Sequence, residues 1–341
     1  MRKTPGLLCA IGLLALTGCG DAATSSDNSG GSGGDELMMQ PATPPPSAAT
    51  CRGAPYPIIL SHGMAGFERI GPINYFFNVA ADLRGRGEIV FESQVSPYDS
   101  STVRGTQLAK FVDDTLKATG ACKVNLIAHS QGGFDSRYMI STLHYGDRVG
   151  ALITVGTPHR GTPVADVVLG IVTPSGFTAS VVNTILLAVQ GLTSNDSGNP
   201  NVKANLEQLA TTNVAKWNAD NPDDARVKYY SVAGRSNLAS AATECAGGVW
   251  PNPAGLDILT PILAAPATVF PFFSPNPLAP IPNDGLVPVS SARWGTFLGC
   301  VPADHFDEVG QIAELVADPV SGFDHLDLYR RLVGVIRTAG L

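Results

Sequence analysis

The chain has 341 residues, 44% hydrophobic and 15% charged, which is enough apolar material for a full core. A formal net charge of −7 and a pI near 5.3 leave no basic patch, which argues against nucleic acid as a partner.

Arg2 and Lys3 precede an apolar run from Leu7 to Leu16 that is too short for an ordinary membrane anchor. Leu16-Thr17-Gly18-Cys19 is similar to the lipobox of bacterial lipoproteins. The resemblance implies a signal peptide over 1–18, cleavage before Cys19, and a lipid on its thiol that holds the protein to a membrane. Gly20 after the cysteine points to outer-membrane or cell-surface delivery, with free secretion as the alternative. Residues 20–50 are Gly, Ser, Asp, Ala, Thr and Pro with almost no large apolar side chains. Such a segment cannot bury enough surface to offset its ordering entropy, so 19–50 is expected to be a flexible tether. The folded domain is expected over 51–341.

Within it, strand and helix signals alternate. Pro57-Ile58-Ile59-Leu60-Ser61 reads as a buried strand, Ile73 to Arg84 has helical character, and Glu88 to Val95 reads as a second strand. From Val103 to Ala118, Leu108, Val112 and Leu116 fall at i, i+4 and i+8, the pattern of an amphipathic helix lying on a sheet. Lys123 to Ile127 predicts a strand, and Gly133 onward predicts a helix. Two further apolar strands follow at Val149–Val155 and Val227–Val232. This order calls for an α/β fold with a mostly parallel, doubly wound sheet. Asp166 to Leu192 is almost uncharged and apolar, and reads equally as a buried helix or a mobile lid. Trp250 to Pro282 is crowded with prolines, which preclude a long regular element, so an irregular insertion near the site mouth is expected.

Of the six cysteines, Cys9 falls in the signal and Cys19 is the lipid site. Cys51, Cys122, Cys245 and Cys300 make two disulfides in an exported domain. Cys51 and Cys122 each stand just before a predicted strand. If those strands are parallel neighbours, 51–122 pairs and leaves 245–300. No Cys-x-x-Cys pair is present, so zinc is not expected.

The chemistry centres on Ala128-His129-Ser130-Gln131-Gly132, between the Lys123–Ile127 strand and the following helix. A small-x-Ser-x-Gly segment at such a junction is the nucleophile elbow, whose tight turn needs small neighbours and lifts the serine hydroxyl above the sheet. Ala128 stands where a glycine is usual. A serine needs a base, and the base needs an oriented acid. In this chain order the acid and then the histidine follow the serine. His144 and His159 come too early, which leaves His305 and His325. The helical pattern after His325 makes it the start of a last helix, while His305 follows the strand-like Arg293–Leu298 and Cys300, which favours His305. Asp284, in the turn Asn283-Asp284-Gly285-Leu286-Val287 after the Pro-rich insertion and before a predicted strand, is the candidate acid. The candidate oxyanion donors are the backbone N–H groups of Gln131 and of Met64, in the loop after the first strand. His62 is read as a residue that orders this loop.

Tyr56 to Gly66, Lys123 to Tyr138, Gly156-Thr157-Pro158-His159-Arg160-Gly161, Asn283 to Val287, and Asp304-His305-Phe306-Asp307-Glu308 with Gln311 together resemble the Pseudomonas/Burkholderia family of bacterial true lipases. The resemblance implies an α/β-hydrolase acting on lipid esters as a triacylglycerol lipase. It implies a helical lid over about 166–192 and the triad Ser130, Asp284, His305. It also implies a lipase-specific foldase as partner. A structural calcium ion is implied too, with Asp307, Gln311 and the backbone carbonyl of Leu315 as ligands. Asp257, the only acid between Cys245 and Asp284, is the available second carboxylate. The alternatives are a short-chain carboxylesterase or polyester depolymerase and, in another class, a surface lipoprotein that binds lipid without catalysis.

Overall fold

The computed structural model describes residues 51–64, 69–70, 73–172, 201–236, 244–251, 257, 259, 261–274, 281–311 and 321–341. The expected signal, the tether with Cys19, the lid residues 173–192, and Leu315 lie outside the described residues.

Six strands form the main sheet: β1 Ile58–Ser61, β2 Val90–Glu92, β3 Val124–His129, β4 Val149–Val155, β5 Lys228–Gly234 and β6 Thr296–Val301. All pairings in it are parallel, in the order β2-β1-β3-β4-β5-β6. The helices are α1 Val79–Gly85, α2 Ser101–Thr119, α3 Gly132–Ser141, α4 Pro163–Val168, α5 Asn201–Leu209, α6 Val214–Asp220, α7 Pro261–Ala267, α8 Phe270–Phe273, α9 Val289–Ala292 and α10 His325–Thr338.

Period-two alternation on β1 sends Ile58 and Leu60 to one face of the sheet and Ile59 to the other. On the first face, Val79 and Leu83 of α1 meet Tyr329, Leu332 and Ile336 of α10. On the second, Leu108, Val112 and Leu116 of α2 join Met139 and Ile140 of α3. Helices on both faces make the doubly wound α/β fold that the strand and helix order demanded. The α2 helix is closed at both ends, by Ser100 accepting from Val103 N–H and by Gly120 in a left-handed conformation at φ 66°. Both expected disulfides, Cys51–Cys122 and Cys245–Cys300, are present. Residue 52 pairs in parallel with residue 121, so the first bridge ties the segments that lead into the neighbouring strands β1 and β3.

Several predicted elements are shorter or different. The Glu88–Val95 strand shrinks to Val90–Glu92, because it lies at the sheet edge with one neighbour. Ile73–Arg84 divides into a ribbon strand at Ile73–Asn74 and a helix that begins only after Asn78, left-handed at φ 57°. The Arg293–Leu298 strand starts later, at Thr296, after Gly295 turns the chain at φ 54°. The turn expected around Asp284 is closed by the Leu286 and Val287 N–H groups, both of which donate to the Asp284 carboxylate. In the Pro-rich stretch, the described residues form only the short helices α7 and α8.

Candidate active site

The strand β3 ends at His129, and Ser130 turns the chain into α3 with φ 54°. That left-handed backbone is unusual for a side chain larger than glycine and is held by Ser130 N–H donating to the Val155 carbonyl at 2.9 Å. The turn explains the glycines after the serine. A Cβ on Gly132 would stand 2.5 Å from the Ser61 carbonyl, and one on Gly133 would stand 2.3 Å from Thr157 Oγ1. Ala128 needs no such room, because it lies inside the strand and packs in the core under α2 and α3.

Ser130, Asp284 and His305 come together. His305 Nε2 is 2.9 Å from Ser130 Oγ, and its Nδ1 is 2.8 Å from Asp284 Oδ2. The other Asp284 oxygen accepts the backbone N–H groups of Leu286 and Val287 at 2.9 and 2.6 Å, and His305 N–H donates to the Asp284 carbonyl at 2.9 Å. These bonds leave one carboxylate oxygen to take Nδ1–H, so Nε2 faces the serine as an acceptor. His325 is elsewhere. It opens α10, its Nε2 donates to the Phe77 carbonyl at 2.8 Å, and burial lowers its pKa.

The loop after β1 lies against the serine, and a Cβ on Gly63 would be 2.7 Å from Ser130 Cβ. Its two peptide planes are each pinned. Arg104 donates to the His62 carbonyl at 2.6 Å, and His62 Nδ1–H donates to the Gly63 carbonyl at 2.9 Å. Burial, then the Arg104 charge, pushes the His62 imidazole down to about 3, so it is neutral and orders the loop. Because a trans peptide sets C=O and N–H in opposite directions, the held Gly63 carbonyl turns Met64 N–H away from His62. Met64, Val164, Leu206, Leu209, Leu286 and Val287 surround a small apolar cavity that Ser130 and His305 also line.

Sequence reasoning missed a buried chain behind the triad. Tyr75 O–H donates to His129 Nδ1 at 2.7 Å, and His129 Nε2 meets Glu308 Oε2 at 3.0 Å, itself 3.8 Å from His305 Nδ1. Burial, then the Asp284 charge, raises the Glu308 pKa well above the carboxylate range, whereas burial, then His305, lowers that of His129. Gly156 and Gly234 make room for Glu308: a Cβ on either would fall within 2.2 and 2.4 Å of its carboxylate. A glycine at the end of each of two adjacent strands was the one local signal for this acid.

Of the residues expected to hold a metal, Asp257 and Asp307 meet. With Asp304, which was not foreseen, they place three buried carboxylates with oxygens within 4.8 Å of one another. Gln311 is tied nearby through its amide nitrogen, with Nε2 donating to the Tyr75 carbonyl at 2.8 Å.

The chain matches the family described as alpha/beta hydrolase fold over residues 56–193. It is 32% identical over 309 residues to a triacylglycerol lipase of Vibrio cholerae, covering 84% of this chain and 89% of that one. It is 34% identical over 209 residues to a triacylglycerol lipase of Burkholderia plantarii, covering 59% of this chain and 56% of the relative. Among solved structures, Staphylococcus hyicus lipase aligns with a TM-score of 0.58 at 16% identity, over 84% of this chain and 96% of that one. The last likeness speaks for the fold alone.

Proposed function

The chain belongs to the triacylglycerol lipase family of α/β-hydrolases, and from that premise we propose that it cleaves triacylglycerol with Ser130 as nucleophile, His305 as base and Asp284 as orienting acid. The observation that carries the reading is the unbroken hydrogen-bond path from Ser130 Oγ through His305 to Asp284. Ser130 Oγ attacks the ester carbonyl carbon while His305 Nε2 takes its proton. The developing oxyanion is held by the backbone N–H groups of Met64 and Gln131. Collapse of the tetrahedral species expels the alcohol, which leaves with the proton from Nε2. Water then attacks the acyl-enzyme by the same route, and Asp284 stabilises the imidazolium in both halves.

Ser130→Ala and His305→Ala should each lower kcat by about 10⁴-fold or more, with His325→Ala near wild type. Full activity in His305→Ala would overturn the triad. Rates on emulsified long-chain triglyceride against soluble short-chain esters separate a lipase from a short-chain esterase, since no preference for the emulsion would favour the esterase.

A structural calcium ion belongs to the same reading. The buried oxygens of Asp257, Asp304 and Asp307 are the hard donors such an ion takes, and it would brace the loop that carries His305. Export, lipidation at Cys19 and a lipase-specific foldase complete the proposal. Loss of membrane association in Cys19→Ser tests the anchor.

A further inference from the structure

The helix that walls the cavity is joined by one buried amide to the residue after the nucleophile. Leu206 and Leu209 of α5 face the cavity beside Ser130. Asn205, their neighbour on the helix, is fully buried, and its Nδ2 donates to Gln131 Oε1 at 2.8 Å. Gln131 Nε2 in turn donates to the Asp99 carbonyl at 3.0 Å. A carbonyl only accepts, so the Gln131 amide is held one way round, with its oxygen inward and in need of a donor. Asn205 is that donor. Gln208 adds a second tie from the same helix by accepting Ser101 N–H at 3.0 Å.

Gln131 itself has no exposed surface, and its peptide follows the left-handed Ser130 directly. Its N–H is one of the two donors to which the mechanism gives the oxyanion. Donors of this kind act by being in place before charge develops, and small displacements weaken them. We infer that Asn205 is a positioning residue: it holds the Gln131 side chain, and so the Gln131 N–H, in line for the oxyanion. Through it the apolar cavity wall is mechanically joined to the oxyanion hole. The inference rests on the hydrolase reading above.

The test compares wild type, Asn205→Ala and the similarly shaped Asn205→Leu in the full chain, with p-nitrophenyl butyrate hydrolysis and fluorophosphonate labelling of Ser130 as readouts. Asn205→Ala should lower kcat about tenfold with KM within about twofold, and slow labelling by a similar factor, because the phosphonyl oxygen uses the same donors. In a Gln131→Met background, Asn205→Ala should cost nothing further. Unchanged kcat and labelling with a lowered melting temperature would overturn the inference, as would equal losses in both backgrounds. Should Asn205→Ala fail to fold, Asn205→Leu carries the comparison, since it keeps the branched shape and has no donor. A wild-type chain that neither hydrolyses nor labels would instead sink the hydrolase reading, and this inference with it.

Discussion

Arg104 offers a sharp test of how the site is held. Its side chain has no exposed surface and reaches three segments: Asp135 Oδ2 at 2.7 Å, the Ser96 carbonyl at 2.6 Å and the His62 carbonyl at 2.6 Å. Burial pushes the Asp135 carboxyl up to about 6 even with the guanidinium beside it. Arg104→Leu strands that carboxyl, which costs about 3–5 kcal/mol. It also orphans two carbonyls, at about 1–3 kcal/mol each before water relieves them. We expect a loss of about 5 kcal/mol at pH 8. Arg104→Leu/Asp135→Leu removes the stranded acid but not the orphaned carbonyls, so it should regain about 2 kcal/mol or more. The pH dependence has a definite sign. An acid whose folded pKa lies above its unfolded value loses stability as pH rises through the folded value. Without Arg104 that value rises further. The deficit of the single variant should therefore grow from pH 6 to pH 8, by up to about 1.4 kcal/mol per pH unit, and that of the double variant should not. Urea unfolding followed by tryptophan fluorescence measures both. A double variant no more stable than the single one at pH 8, or a deficit flat in pH, would refute the reasoning.

Cys51→Ala/Cys122→Ala opens a loop of sequence separation 71, which loop-closure entropy values at about 4 kcal/mol; a urea midpoint within error of wild type would contradict this. Acid should destabilise the fold below about pH 6.5, because His62, His129 and His159 stay unprotonated when folded and take up protons when unfolded. Asp135 and Glu308, raised by burial, oppose this between the carboxylate range and their folded values, but they are fewer, so the urea midpoint should fall from pH 7 to pH 5. A rising midpoint would count against the neutral imidazoles. EDTA should lower the melting temperature, calcium should restore it, and Asp304→Asn/Asp307→Asn should abolish the response; chelator-insensitive melting of the wild type would remove the calcium proposal.

The parts legible in the sequence were those with a local pattern. Leu108, Val112 and Leu116 announced α2 by spacing, and the adjacency of β1 and β3 was enough to pair Cys51 with Cys122. Ser130 was visible because its strained turn demands Gly132 and Gly133 beside it. Asp284 was legible through chain order, which left two histidines, and the residues around them favoured His305. What stayed hidden was made of buried polar contacts between distant residues, such as His129 with Glu308 and Asn205 with Gln131, separated by 179 and 74 positions. No periodicity marks such partners, since each looks like an ordinary polar residue until the fold sets it against another.

The bridge between Cys51 and Cys122 also decides how the domain would bear a load. Arg52 N–H donates to the Gly120 carbonyl at 2.6 Å, and Cys122 N–H to the Arg52 carbonyl at 2.8 Å, beside the covalent link. A pull on the chain ahead of residue 51 therefore reaches Cys122 through the disulfide and enters β1 and β3 together. β1 cannot be unzipped alone from that end. With the bridge intact the two neighbouring strands would have to give way jointly, whereas its reduction would let tension act on β1 first.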